Sequence, residues 1–267
     1  MISHSVMDGW RARVGYIVPS SGTTTQVEWE SVRPEGVLFV CSRVRLETVA
    51  VDSIKSAAGE LTRAARELST AAIDSLIQVG TPFVLVSRNG VSGSIEDMLH
   101  KESGVPSMSM AMASVLALKQ LGVRRLALAS PYTPELRMRL EDFLAKSGFE
   151  VLASEGLGLI SNLDINRLPA HISYKTARQA LAKAAGAEAI FIASGGWRTF
   201  AILEALECDT GLPVVSSNAA GLWAGLGLAG VRESIPGHGR LLLQMQHEIL
   251  ETAARTYSNP AKTHQSI

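Results

Sequence analysis

Four short apolar segments of this sequence end in glycine, serine or threonine and not in charged residues. The segments lie at 14–24, 75–82, 124–133 and 189–196, and they close with PSSGTT, VGTP, ASPYT and ASGG. Hydroxyl groups and backbone N–H groups near a helix start can bind an anion without a fixed cation. Ordinary helix capping explains any one of these segments. Four together, in two similar halves, predict a pocket for carboxylates.

The serine- and threonine-rich segment after the first strand is a candidate substrate-binding site. Helix capping accounts for one or two of its hydroxyls but not for five adjacent small residues. Gly22 allows a ligand to approach the backbone closely. We therefore predict that Ser20, Ser21 and Thr24 bind a carboxylate.

Thr81 and Tyr132 follow two other strands and are candidate catalytic residues. Pro82 suits the first position of a helix, so that Thr81 becomes its N-cap and Gly80 comes to the site. The Tyr132 phenol can bind a carboxylate or donate a proton. Alternatively, its ring packs beneath the next helix. Residues 87–94 are rich in glycine and predict a mobile loop after this segment.

Ser194 closes a strand in the second half and is the third candidate catalytic residue. Gly195 and Gly196 follow it and expose N–H groups at a helix start, a geometry that stabilises an oxyanion. The sequence shows no base for Ser194, and the GxSxG motif of serine hydrolases is absent. Asn162 and Ser217 complete the predicted substrate-binding set.

Further polar residues are weaker candidates. Arg43 and Arg45 follow a strand-like segment, and Arg198 stands near a helix start, where an arginine usually points to solvent. His238 can close the cleft from the C-terminal segment, although a lone histidine is more often a loop residue.

Composition excludes several classes of function. The chain has 267 residues, is 46% hydrophobic and carries a formal net charge of zero. Nucleic-acid and anionic membrane partners normally require basic clusters, which are missing here. Two cysteines without CxxC spacing predict no metal site. No leader or 18-residue apolar stretch is present, so we predict a cytoplasmic protein without a membrane span.

Short apolar strands alternate with amphipathic helices through most of the chain, which predicts an α/β fold with parallel sheets. Predicted strands lie at 13–19, 36–41, 74–79, 105–109, 124–130, 149–153, 188–193 and 212–216. Predicted helices lie at 24–32, 51–72, 93–103, 110–121, 133–147, 174–185, 197–210 and 219–228. Ligands bind at the carboxyl ends of such strands, so two facing halves would surround one cleft.

The same pattern divides the chain into two α/β halves. We predict an N-terminal half over 1–122 and a C-terminal half over 123–230. The segment 231–257 is expected to pack back on the N-terminal half. The polar tail 258–267 is expected to be frayed.

The order of several motifs resembles the aspartate/glutamate racemase superfamily, in its branch of maleate cis-trans isomerases and arylmalonate decarboxylases. VPSSGTT is similar to the VPSSNTT opening of that branch, and SRVRLETV to its arginine-bearing second strand. LGVRRLALASPYTPELRMRLEDFLAKSGFEV resembles its middle segment. GLPVVSSNAAGLWAGLGLAG, followed by PGHGR, is most similar to the decarboxylases. The resemblance covers roughly residues 14–240.

The resemblance implies two Rossmann-like halves related by pseudo-twofold symmetry, and an activity without metal or organic cofactor. Racemases of the superfamily place one cysteine on each side of the substrate carbon, and isomerases keep two, of which one is a nucleophile. Arylmalonate decarboxylases keep only the second, which reprotonates a planar enediolate. In this sequence the first cysteine position is Gly80 and the second is Ser194. The resemblance therefore implies neither two-base racemisation nor addition of a thiol to the substrate.

We therefore predict a cofactor-independent lyase acting on a small carboxylic or dicarboxylic acid through an enediolate-like state. Alternatives are a maleate isomerase- or racemase-like isomerase, a hydrolase in small-acid catabolism, and a non-catalytic carboxylate-binding protein. The expected partner is the small carboxylate itself, with a homodimer or higher homo-oligomer possible by resemblance to relatives.

Overall fold

Two parallel four-stranded sheets form the centre of the molecule in a computed structural model that describes residues 8–86 and 95–244. The first sheet has the order β2-β1-β3-β4 and the second β6-β5-β7-β8. Every strand pair is parallel. The strands are β1 (Ala12–Pro19), β2 (Val37–Val44), β3 (Ser75–Gln78), β4 (Ser107–Ser109), β5 (Arg125–Ser130), β6 (Glu150–Gly156), β7 (Ala189–Ile192) and β8 (Val214–Ser216). The matching strand orders confirm the predicted α/β fold with two Rossmann-like halves.

Helices connect the strands in both halves. They are α1 (Thr24–Ser31), α2 (Val51–Ala58), α3 (Leu61–Ser69), α4 (Pro82–Val86), α5 (Ile95–Ser103), α6 (Met110–Gln120), α7 (Pro134–Lys146), α8 (Asn162–Arg167), α9 (Ala170–Lys183), α10 (Phe200–Thr210), α11 (Ser217–Leu228) and α12 (Arg240–Leu243). Pro82 begins α4, as predicted. Within the described ranges, no helix is long and apolar enough to span a membrane. The predicted loop 87–94 lies outside the described residues.

Several helix predictions differ from the structure; the helix predicted over 174–185, for example, is α9 and begins at Ala170. The predicted helix 51–72 is two helices, which separate at Gly59, a residue that weakens a helix interior. The predicted helix 197–210 begins only at Phe200. Helix α8 was not predicted, because its six residues are too few to show a clear apolar period.

Helix α11 belongs to the second half in sequence but packs on the first sheet. The Ser75 hydroxyl donates a hydrogen bond to the Gly225 carbonyl at 2.8 Å. A Cβ atom at Gly225 would lie 2.9 Å from Cγ1 of Val14, so glycine permits the close approach. The chain therefore contacts the first half again before residue 231.

The described part of the C-terminal segment contacts both halves. Arg11 forms an ion pair with Glu233 at 2.6 Å, and the Arg240 backbone N–H donates to Glu207 at 2.9 Å. The domain limits 1–122 and 123–230 stay a prediction, as does the packing of 231–257. Residues 245–267, which include the predicted frayed tail, lie outside the described residues.

Candidate active site

A small pocket, partly open to solvent, lies at the carboxyl ends of strands from both sheets. Residues after β1, β3, β5 and β7 contribute to its wall. The lining residues are Val18, Pro19, Gly22, Thr25, Leu46, Val49, Val79, Gly80, Pro82, Phe83, Tyr132, Asn162, Asn166, Ser194, Gly195 and Gly196. The structure thus brings together six of the predicted site residues: Gly80, Tyr132, Asn162, Ser194, Gly195 and Gly196.

Gly80 and Ser194 occupy corresponding places in the two halves. Each stands two residues beyond the third strand of its sheet order, β3 or β7. Each has a positive φ angle, 114° at Gly80 and 128° at Ser194. Apart from Ala72, Ser194 is the only non-glycine residue of the described ranges with positive φ. Such strain persists where the surrounding structure enforces it and concentrates at functional sites.

The Tyr132 side chain connects the two halves of the pocket. Its hydroxyl lies near the side chains of Ser194 and Thr81, whose hydroxyl groups act to lower the pKa of the phenol. Tyr132 is only 2% exposed, and its burial raises the pKa of the phenol well above the usual value near 10. The phenol is therefore protonated at neutral pH and can donate a hydrogen bond, but it is a poor base.

Thr81 and Ser217 lie beneath the pocket wall and are fully buried. Their hydroxyl oxygens are 3.4 Å apart, and the Ser217 hydroxyl accepts a hydrogen bond from the Ser194 backbone N–H at 3.1 Å. Ser217 thus holds the backbone of Ser194, and Thr81 contacts Ser217. Neither lines the pocket directly.

Backbone N–H groups around the pocket have unused hydrogen-bonding capacity. Gly80, Thr81 and Gly195 find no acceptor for their N–H groups among the residues that the structure describes. The Gly196 N–H is different, because it donates to the Ser194 hydroxyl at 3.2 Å. Buried N–H groups are rarely left unpaired, so the first three are suited to binding an anion.

Much of the remaining pocket wall is apolar. Val18, Leu46, Val49, Val79 and Phe83 contribute hydrocarbon surface. The lining residues of the described ranges include no lysine, arginine, histidine, aspartate or glutamate. The pocket therefore combines uncharged donors with an apolar wall.

The three hydroxyl residues of the opening motif are engaged with backbone groups. The Ser20 hydroxyl accepts a hydrogen bond from the Leu46 N–H at 3.2 Å, and the Ser21 hydroxyl donates to the Leu46 carbonyl at 2.8 Å. The Thr24 hydroxyl donates to the Gly196 carbonyl at 3.0 Å. These contacts hold the loops that surround the pocket. Direct binding of substrate by Ser20, Ser21 and Thr24 stays a prediction.

Asn162 and Asn166 on α8 link the second half to this opening motif. The Asn162 amide donates to the Ser21 hydroxyl at 2.8 Å. The side-chain amide oxygen of Asn166 accepts hydrogen bonds from the backbone N–H groups of Thr23 and Thr24, at 3.0 and 3.2 Å. Asn166 therefore caps α1 from the opposite half. It was missed because α8 was not recognised in the sequence.

The two arginines of the second-strand motif lie outside the pocket wall. Arg43 donates hydrogen bonds to the carbonyls of Ser20 and Gly22, at 3.0 and 2.9 Å, and so holds the opening loop. Arg45 is exposed and forms an ion pair with Glu47. Arg43 thus supports the site indirectly.

His238 does not close the pocket, contrary to our expectation. It lines a separate surface groove together with Arg198, and its ring packs on Phe200. The cysteines are also outside the pocket wall: Cys41 is half-buried and Cys208 is exposed. Within the described ranges, no cluster of histidine, cysteine, aspartate and glutamate could hold a metal ion.

Gly195 is a position where a side chain would be costly. A Cβ atom there would lie 2.9 Å from Cγ1 of Val79, and 3.1 Å from both the Met110 sulfur and the Thr25 hydroxyl. We expect Gly195→Ala to lower the free energy of unfolding by about 1–3 kcal/mol, measured by urea denaturation. Gly59→Ala is the control, because Gly59 has a helical φ of −62°. It should keep the free energy of unfolding or raise it by up to about 1 kcal/mol. Equal losses in both variants would contradict this account.

The chain is similar to known decarboxylases and isomerases. A model of the arylmalonate decarboxylase family matches residues 14–242. The chain is 26% identical to arylmalonate decarboxylase of Bordetella bronchiseptica over 229 residues, covering 85% of this chain and 95% of that protein. It is 28% identical to a maleate isomerase of Pseudomonas putida over 244 residues, covering 86% and 96%.

A solved structure shows the same fold. A liganded arylmalonate decarboxylase, carrying a glycine-to-cysteine and a cysteine-to-serine substitution, superposes with a TM-score of 0.80 at 26% identity. The superposition covers 86% of this chain and 98% of that one. The comparison confirms the resemblance that implied two Rossmann-like halves.

Proposed function

Because the chain belongs to the arylmalonate decarboxylase family and is similar to both a decarboxylase and an isomerase, we propose that it is a cofactor-independent lyase. Its substrate would be a small carboxylic or dicarboxylic acid with an apolar substituent. The observation that carries the proposal is the cluster of Tyr132, Thr81 and Ser194, which joins both halves beside unpaired N–H groups.

The proposed reaction begins with a carboxylate held by uncharged donors. The N–H groups of Gly80, Thr81 and Gly195 and the Tyr132 hydroxyl would bind one carboxylate. The second carboxylate would leave as carbon dioxide when its C–C bond breaks. The electron pair of that bond would pass into an enediolate, whose two oxygens the same donors stabilise. Donors that gain strength as charge develops lower the barrier for this step.

A proton must then be added to the substrate carbon. Ser194 carries a hydroxyl on one side of the pocket, whereas its counterpart Gly80 carries no side chain. Such a one-sided arrangement suits a single protonation, while racemisation requires an acid–base group on each face. An alcohol is a weaker acid than a thiol, which titrates near pH 8.5, so Ser194 would act together with Tyr132.

An isomerase is the second candidate, because similarity to the Pseudomonas putida maleate isomerase is as extensive as that to the decarboxylase. It would share the carboxylate-binding pocket. It would need a nucleophile, and Ser194 has no carboxylate or imidazole partner within the described part of the chain. We therefore place decarboxylation first.

The two reactions are separable in heavy water. The protein would be incubated with methylmalonate, phenylmalonate, maleate and aspartate, and followed by proton NMR and by carbon dioxide release. A lyase releases carbon dioxide and places one deuterium on the α carbon of the product. An isomerase converts maleate without release of carbon dioxide.

Ser194→Ala is the control for contaminating activity, because a contaminating enzyme would be unaffected by this substitution. Thermal unfolding shows independently whether the variant is folded. Turnover that survives unchanged in this variant would contradict the assignment of the pocket. Ligand-induced thermal stabilisation without turnover of any acid would indicate a carboxylate-binding protein instead. Release of carbon dioxide by the wild type but not by Ser194→Ala supports the lyase.

A further inference from the structure

A buried carboxylate, that of Glu28, lies where α1 of the first half meets the start of α10. Glu28 is only 8% exposed. Its Oε1 accepts hydrogen bonds from the backbone N–H groups of Thr199 and Phe200, the latter at 2.9 Å. Its Oε2 accepts from the side-chain amide of Asn218 at 2.7 Å and from the Thr199 hydroxyl at 3.3 Å. All of these donors belong to the second half.

Asn218 extends these contacts from Glu28 to the pocket. The same amide nitrogen lies 3.1 Å from the Gly195 carbonyl and 3.4 Å from the Trp197 carbonyl. Thr25, one helical turn before Glu28, also donates to the Gly195 carbonyl, at 2.9 Å. Residues of α1 therefore contact the loop 194–199 at its start and, through the α10 N-terminus, at its end.

We propose that Glu28 is a positioning residue, which anchors the loop 194–199 to the first half and sets where Gly195 and Gly196 meet the pocket. The carboxylate does not line the pocket, so it acts through Asn218 and not on substrate. The inference rests on the proposed function in treating the pocket as the reaction site. Its test, however, requires no turnover.

Burial raises the pKa of Glu28 from 4.5 to about 7, although hydrogen bonds from Thr199, Phe200 and Asn218 act in the opposite direction. Two backbone N–H groups occupy Oε1, so a proton must enter on Oε2. That oxygen faces the Asn218 amide, which must then give up its contact, or the Thr199 hydroxyl must turn to accept the proton. In the first case, protonation of Glu28 disturbs Asn218, the residue that contacts the Gly195 carbonyl.

Other charged groups near Glu28 must be separated from this effect. Arg167, Arg198 and His238 line the surface groove that also contains Glu28. Helix α11, which supplies Asn218, contains no titratable residue. His238 is therefore the neighbour that needs a control variant.

The experiment is a pH titration of the full chain labelled with ¹⁵N-glycine and observed by amide NMR. We expect the Gly195 and Gly196 resonances to shift with a midpoint near pH 7 in the wild type. The shift should disappear in Glu28→Gln, whose side chain does not titrate. A carboxylate without influence on the loop 194–199 would give no such titration of Gly195 and Gly196.

Matched variants decide the origin of the shift. Glu207→Gln removes another carboxylate that is 8% exposed and accepts hydrogen bonds from backbone N–H groups. These N–H groups belong to Val214 and Arg240, neither of which is in the first half. The titration of Gly195 should persist in Glu207→Gln and in His238→Asn. Its persistence in Glu28→Gln, its loss in His238→Asn, or its absence from the wild type would overturn the proposal.

A second variant keeps the test decisive if Glu28→Gln does not fold. Asn218→Ala removes the connection but leaves the carboxylate in place. In a chain labelled at all amides, Thr199 should still titrate in this variant while Gly195 no longer does. Continued titration of Gly195 would contradict the proposed route through Asn218.

The pH dependence of stability gives an independent measure. Because the folded pKa of Glu28 lies above its ordinary value, its favourable contribution is complete below about pH 4.5 and is lost as pH rises through about 7. We expect the thermal midpoint of the wild type to fall relative to that of Glu28→Gln across this interval. A constant difference between the two proteins would contradict the burial of an ionisable group at this place.

Discussion

Replacing Tyr132 with phenylalanine is expected to lower kcat by about 10²- to 10³-fold, the usual cost of removing one donor that stabilises developing negative charge. The phenol is buried, remains protonated at neutral pH, and contacts both Ser194 and Thr81. The substitution removes one oxygen and leaves the ring in place. We expect KM to change much less, because the hydrogen bond should strengthen mainly in the transition state.

Tyr16→Phe is the matched control for this prediction. Tyr16 is also 2% exposed, and burial raises the pKa of its phenol. Its ring packs on Trp29, and it does not line the pocket. Steady-state kinetics on the acid identified in heavy water should show normal turnover in Tyr16→Phe. Similar losses in both variants would indicate general destabilisation, and full activity in Tyr132→Phe would remove Tyr132 from the mechanism.

Replacing Ser194 with alanine is expected to lower kcat by about 10²- to 10⁴-fold, the range attributed to a positioned acid or base. The change deletes the one hydroxyl that stands opposite Gly80. Ser194→Cys restores a proton donor of lower pKa at the same strained backbone position. We expect it to match or exceed the turnover of the wild type.

Ser130→Ala provides the control for deleting a buried serine hydroxyl. Ser130 ends β5, and its hydroxyl has no hydrogen-bond partner within the described residues. Its removal should leave both kcat and the thermal midpoint nearly unchanged. If Ser194→Ala retained the activity of Ser130→Ala, proton delivery by Ser194 would be excluded. The amount of deuterium in the product measures the same step directly.

The sequence alone was sufficient to predict the fold. Strands and amphipathic helices each have a characteristic spacing of apolar residues. This spacing can be recognised within a short window of sequence, without information on contacts between distant residues. The strand ends could also be located, because glycine, serine and threonine mark where strands stop. Gly80, Ser194 and Tyr132 were therefore named as candidates from the sequence. The structure places all three around one pocket.

Tertiary structure decided which of the hydroxyl groups are available to a ligand. The sequence treats Ser20, Thr24 and Ser194 alike, since each follows a strand. Only the folded chain shows that the first two bond to backbone atoms of Leu46 and Gly196 and lie outside the pocket wall, whereas Ser194 bonds to its near neighbour Gly196 and lines the pocket. Short-range patterns do not encode the contacts of Ser20 and Thr24, because their partners are 26 and 172 residues apart along the chain.

Glu28 illustrates the same limit most clearly. In the sequence it is one acidic residue of a short helix, as expected for a solvated surface. Its burial and its contacts with Thr199, Phe200 and Asn218 arise only when the two halves meet. Local periodicity thus determined the elements and the edge where chemistry can occur. The packing of one half on the other determined which side chains face the pocket and which hold it in place.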